Sequence, residues 1–243
     1  MTDTVPPPAL SAPPPASPPL AADARARVVE ERDKDGKLVG RTSMVEGVPH
    51  GEMVRYGPTG LPVLEANFVA GVLQGPMKIY DAHGGLKLES HYLGGKLQGV
   101  TTLYQEGRVA SRQSHVLGVL HGESVSYAPS GLVTSRMTYE AGRLEREALF
   151  SHDGVVVRRE RYSRGLLEGE TSNYSETGAL VRSSPYRANL LHGTVRRFGA
   201  DGQVTQERRY LLGKPQGPWR SVAAPAADGG PRLVKNIEKW VRG

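Results

Sequence analysis

Apolar residues in this chain fall in short segments of five to seven residues, rich in Val, Thr and Tyr and closed on both sides by Gly. Such segments are too short for helices and read as β-strands. Aromatic residues mark them in pairs. Tyr56 and Phe68, Tyr80 and Tyr92, Tyr127 and Tyr139, Phe150 and Tyr162, Tyr174 and Tyr186, and Phe198 and Tyr210 are each twelve residues apart. Gly60, Gly84, Gly131, Gly154, Gly178 and Gly202 each follow the first aromatic of a pair by four residues. These glycines predict hairpin loops whose last residue has a positive φ. A second set of corners, Gly47, Gly71, Gly95, Gly118, Gly142, Gly165, Asn189 and Gly213, recurs at intervals of 23 or 24 residues.

A period in this range predicts a stacked array in which each unit is stable only beside its neighbours. Each period is one β-hairpin, and successive hairpins lie side by side. The predicted fold is all-β: an elongated, single-layer antiparallel meander of about seven hairpin repeats. At about 4.8 Å between strands, each repeat advances the sheet by roughly 9.6 Å, so seven span on the order of 70 Å. The corner leucines Leu73, Leu97, Leu120, Leu144, Leu167 and Leu191 lie beside one row of aromatics. Two apolar ladders are therefore expected, with the sheet curled so that aromatic rows pack on their neighbours. Two units depart from the pattern. The third has a short turn at Gln105-Glu106-Gly107, and His115 stands at its second aromatic position although Tyr104 keeps the first. The fifth has Arg146 where a corner glycine is expected.

Composition supports a thin sheet: 38% of the 243 residues are hydrophobic and only 6% aromatic. The array is expected over residues 28–220. Residues 1–27 read as a disordered Pro/Ala-rich tail, and residues 221–243 as a linker and a short helix with Leu233, Val234, Ile237, Trp240 and Val241 on one face. That helix is either a cap over the last strand or a binding element. The tail lacks the basic start of a signal peptide, which points to the cytoplasm, or to the periplasm if a leader has been removed. No 18-residue apolar run is present, and there is no cysteine. The formal net charge of +6 is uneven: residues 143–243 hold 18 basic and 11 acidic side chains, against 13 and 14 before them. The second half is the better ground for an acidic partner.

Little in the chain points to catalysis. No Gly-x-Ser-x-Gly elbow, Walker loop or dinucleotide fingerprint occurs, and no cofactor or metal is expected. His50, His121 and His192 share one repeat position with Gln74, Gln98, Glu168 and Gln216. These histidines stand three repeats apart, roughly 29 Å, too far to share an ion, so the position reads as a polar turn residue. Nucleic acid is a poor fit, because the aromatics recur at packing positions. One column breaks the average. Three residues before each second aromatic stand Glu65, Glu89, Arg112, Arg136, Arg159, Ser183 and Glu207. Residues three apart on a strand point to opposite faces, so Arg112, Arg136 and Arg159 form a row on the face away from the rings, joined by Arg161. Such a row suits carboxylate or phosphate recognition. It fits better still a solvated face laced with Arg–Glu cross-strand pairs.

Segments such as Gly95-Lys-Leu-Gln-Gly-Val-Thr-Thr-Leu-Tyr104 and Gly165-Leu-Leu-Glu-Gly-Glu-Thr-Ser-Asn-Tyr174 are similar to MORN repeats. They most resemble the bacterial variant of YwqK-type antitoxin-like proteins, over about three quarters of the chain. The resemblance implies a protein-binding array, plausible partners being a toxin or secreted effector that it neutralises by occlusion. Its other implication is a membrane-surface or scaffold module that binds acidic lipid. It supplies no catalytic residues.

Overall fold

The computed structural model describes residues 25–222. The predicted tail and C-terminal helix fall largely or wholly outside them. The described residues form one open, elongated, 21-stranded sheet. Its strand pairs are antiparallel and join neighbours along the chain, from Arg27–Arg32 against Leu38–Val45 at one end to Val204–Leu211 against Arg220–Ser221 at the other. The sheet does not close into a barrel, so both end strands remain edges. Ahead of the seven units expected from the aromatics stands an additional hairpin, Arg27–Arg32 and Leu38–Val45. It escapes the aromatic signature because Arg32 and Met44 stand where the rings recur.

Two kinds of connection alternate along the sheet edges. On one edge, most loops are type I turns closed by a glycine in the left-handed region. The Gly60 N–H donates to the Gly57 carbonyl at 2.9 Å, and Gly60 has φ +84°. On the other edge, every corner is a two-residue turn with both φ values positive, as in Ala70 (+47°) and Gly71 (+80°) or Ala188 (+49°) and Asn189 (+67°). This is the type I′ geometry that matches strand twist. The second corner residue also donates its N–H to the preceding unit: Gly71 to Pro49, Gly95 to Leu73, Gly142 to Leu120 and Gly213 to Leu191, at 2.8–2.9 Å. The corners are thus stacked and hydrogen-bonded along one edge.

The corner also sets the packing. Most second aromatics lie across from a glycine on one side and the corner leucine on the other, the exceptions being Tyr162, which faces Arg146 in place of the glycine, and Tyr210, which faces Pro215 in place of the leucine. Tyr92 faces Gly75 and Leu97, and Tyr186 faces Gly169 and Leu191. The leucine is the ring's apolar neighbour, and a Cβ on the glycine would crowd a side chain of the preceding unit, Ser43 at Gly51 and Ser114 at Gly122. Burial falls mostly on small side chains near the strand centres, with Leu167, His115 and Glu160 as larger exceptions. Val54 and Val125 on one face, and Ala66, Ala148 and Val195 on the other, are almost fully covered. A layer one sheet thick hides these only under the longer side chains of adjacent strands.

Arg146 adopts φ +65° at the position where Gly51, Gly75, Gly99, Gly122, Gly169 and Gly193 have positive φ. A non-glycine residue there costs roughly 1–2 kcal/mol. Its ion pair with Glu140, at 3.1 Å, is largely exposed and offsets little of that. Arg146→Gly is therefore expected to stabilise the array by about 1 kcal/mol, measured as a raised urea midpoint with unchanged slope.

Candidate partner-binding face

Register places the arginine column in one line. Arg112 lies opposite Val125, Val125 opposite Arg136, Arg136 opposite Leu149, and Leu149 opposite Arg159. Directly opposed residues share a face, so the three guanidinium stems rise from one face two strands apart, about 10 Å. The line runs on through Ser172, Ser183, Arg196, Glu207 and Arg220, and backwards through Thr102 and Glu89. Arg161 is two residues beyond Arg159, on the same face and opposite Glu147, with its side-chain carbons alongside Gly169.

The arginines do not share one environment. Arg136 pairs with Glu123, and Arg159 with Glu147 at 2.9 Å. In the leading hairpin Arg41 pairs with Glu52 at 3.1 Å. In each case the acid sits two residues before the residue directly opposite, a diagonal contact on one face. These pairs are partly exposed, and each contributes about 0.2–1 kcal/mol. Arg112 has no ion pair among the described residues and is exposed. The row is thus part solvated ion-pair lacing and part uncommitted cation, a distinction invisible in the column alone.

First-aromatic hydroxyls reach the same face. The Tyr80 hydroxyl donates to Glu65 at 2.8 Å, and that of Tyr104 lies 3.5 Å from Glu89. Burial and then the Glu65 carboxylate push the Tyr80 hydroxyl up to about 12. Tyr104 is raised by burial and Glu89, while Arg112 pulls it the other way. The opposite face carries a feature sequence reasoning missed. Glu160 is only 3% exposed, pairs with Arg158 and accepts the Tyr162 hydroxyl at 2.7 Å. The Glu-x-Tyr spacing at 160 and 162, two apart on a strand, was the signal for it.

The short turn of the third unit alters the loop edge. Glu106 (+50°) and Gly107 (+74°) form a two-residue turn beside the longer loop at 128–131. Next to it lie two shallow hollows of about 330 and 520 Å³. Both are lined by Arg108, Val109 and Tyr127, the smaller also by Gln105 and Glu106, the larger by Arg112.

The histidine column acts as a set of hydrogen-bond acceptors. Gln74 accepts the Gly94 N–H at 2.9 Å, Gln98 that of Leu117 at 3.0 Å, and Glu168 that of Ala188 at 2.8 Å. His50 and His121 take the same place through Nδ1, each 3.5 Å from the matching N–H of Ala70 and Ala141. These five positions share an acceptor that caps the next corner, whereas His192 Nδ1 is buried without a hydrogen-bond partner among the described residues and Gln216 donates through Nε2 to the Lys214 carbonyl at 3.1 Å. His115 is buried in the place of a ring, between Gly99 and Leu120, with its Nδ1 3.4 Å from the Thr101 hydroxyl. Among the described residues no three His, Asp or Glu side chains group to hold a metal ion, and no helix is long and apolar enough to cross a membrane.

The chain matches no family model and no curated protein. A solved structure titled "Crystal Structure of TcdB2-TccC3-Cdc42" matches at 13% identity over 78% of this chain and 14% of that chain. Its TM-score is 0.21.

Proposed function

We propose that the chain is a non-catalytic, MORN-like repeat array that grips a protein partner and neutralises it by occlusion, as an antitoxin or immunity protein does. The observation that carries this reading is the line Arg112–Val125–Arg136–Leu149–Arg159, which puts three arginines on one face of a rigid, extended sheet. A long face with regularly placed cations offers area and charge complementarity, and inhibition by covering a partner needs nothing more. The basic excess of the second half favours a partner with an acidic surface.

The partner is to be captured with the tagged chain, identified and purified, and its affinity measured for wild type and for Arg112→Gln/Arg136→Gln/Arg159→Gln. Glutamine is the suitable replacement, because glutamate at 136 and 159 would face Glu123 and Glu147. The triple variant is expected to bind at least tenfold more weakly with an unchanged circular dichroism spectrum. Equal affinity removes the row from the account.

A further inference from the structure

Arg112 differs from Arg41, Arg136 and Arg159 in what faces it, and shares a valine at the diagonal place with Arg196, which has Val181 there. The diagonal position that holds Glu52 for Arg41, Glu123 for Arg136 and Glu147 for Arg159 is Val100 for Arg112. Val100 is 39% exposed and brings no charge. The neighbouring hydroxyl differs too. In the two preceding units the first tyrosine meets the column glutamate of the unit before it, Tyr80 with Glu65 and Tyr104 with Glu89. The next tyrosine, Tyr127, lines one hollow with Arg112 instead, and its hydroxyl has no acceptor among the described residues. Glu89, the column acid one unit away, is approached by Tyr104.

A guanidinium without a carboxylate and a phenol without an acceptor therefore line one hollow, at the place where the short turn of the third unit opens the loop edge. Arg108 lines it as well, with Nη1 held 2.5 Å from the Pro129 carbonyl. The acid in the adjoining hollow is Glu106, on the turn itself. The missing element is the same on both counts: one carboxylate, supplied internally at the equivalent places of several other units and absent here. We infer that this hollow receives a carboxylate from outside, an aspartate or glutamate side chain of the partner protein, held by Arg112 and the Tyr127 hydroxyl. The inference deepens the protein-binding reading and rests on it for the source of the carboxylate. A guanidinium offers paired donors in a plane, and a charge-assisted bond of this kind outweighs a neutral one about twofold.

The test uses the full chain and a fluorescein-labelled hexaglutamate peptide, followed by anisotropy at low ionic strength. Val100→Glu supplies the missing acid internally, as three other places in the array already do, and is expected to weaken peptide binding about tenfold. Arg112→Gln is expected to do the same, and Tyr127→Phe to cost about threefold. Arg220→Gln removes the same charge at the far edge strand and is expected to leave affinity unchanged. Wild-type affinity in both Val100→Glu and Arg112→Gln, no binding by the wild type, or equal weakening by Arg220→Gln overturns the assignment. So does displacement of the peptide by inorganic phosphate at concentrations where acetate is inert, which marks a phosphate site. A captured partner indifferent to the triple glutamine variant removes the arginine row from the protein-binding reading, and with it the partner as source of the carboxylate, while leaving the peptide result in place, so the two failures are distinguishable.

Discussion

Deletion of residues 72–95 is expected to leave a cooperatively folding array, whereas deletion of residues 73–84 destroys it. Contacts in the sheet run between adjacent strands, so a whole period can be lifted out and its neighbours joined. After the 24-residue deletion Gly71 runs directly into Lys96. Phe68 then faces Leu97 in place of Leu73, and the Tyr104 hydroxyl meets Glu65 in place of Glu89. One repeat interface is lost, and Tm falls by a few degrees. The twelve-residue deletion removes one strand and its loop. Every later corner then moves to the loop edge, and the N–H to carbonyl stack, such as Gly95 to Leu73 and Gly118 to Leu97, has no continuation across the junction. Thermal unfolding followed by far-ultraviolet circular dichroism separates the outcomes: a single sharp transition for the first variant, and a broad or absent one for the second. A sharp single transition in both would mean that the units do not depend on a shared phase.

Arg158→Met is expected to cost about 2 kcal/mol, a large effect for a residue on an open sheet. Its partner Glu160 is 3% exposed, and removing one member of a buried pair typically costs about 3–5 kcal/mol. The Arg158 side chain is itself 46% exposed, so solvent screening lowers the figure. Glu160→Gln keeps an acceptor for the Tyr162 hydroxyl and should cost less. It also gives an independent readout. Burial first, and then the Glu160 carboxylate, push the Tyr162 hydroxyl up to about 12. A folded value raised above the unfolded one means this contribution to stability is complete below pH 10 and lost as pH rises through about 12. In Glu160→Gln the Tyr162 titration, followed by ultraviolet absorbance, moves down towards 10, and the alkaline loss of stability over that range becomes shallower. A Tyr162 titration unchanged in Glu160→Gln would show that the carboxylate does not act on the ring.

The architecture was legible because its determinants are local and repeat. Glycines that need positive φ, leucines beside corners and aromatics twelve residues apart mark each hairpin without reference to distant contacts. The leading hairpin was not legible as a unit, since Arg32 and Met44 stand at its aromatic places while Asp33 to Gly36 still form the loop. Arg146 at its corner was readable as a break, but only the backbone shows it holding the glycine conformation. The arginine line followed from counting back from each ring. What each arginine touches did not, because the diagonal acid belongs to the preceding strand and is found only once register is known. Val100 is the clearest example: an ordinary strand valine in sequence, and the missing member of an ion pair in the fold.

The hydrogen-bonded corners have a mechanical consequence. Tension applied between the two ends of the sheet acts across the strands, so the inter-strand bonds open one rung after another instead of shearing together. Each hairpin that yields frees 24 residues, on the order of 80 Å of slack, while the units on either side stay intact. An array built this way lengthens in steps under load and can re-form the same rungs when the load is released.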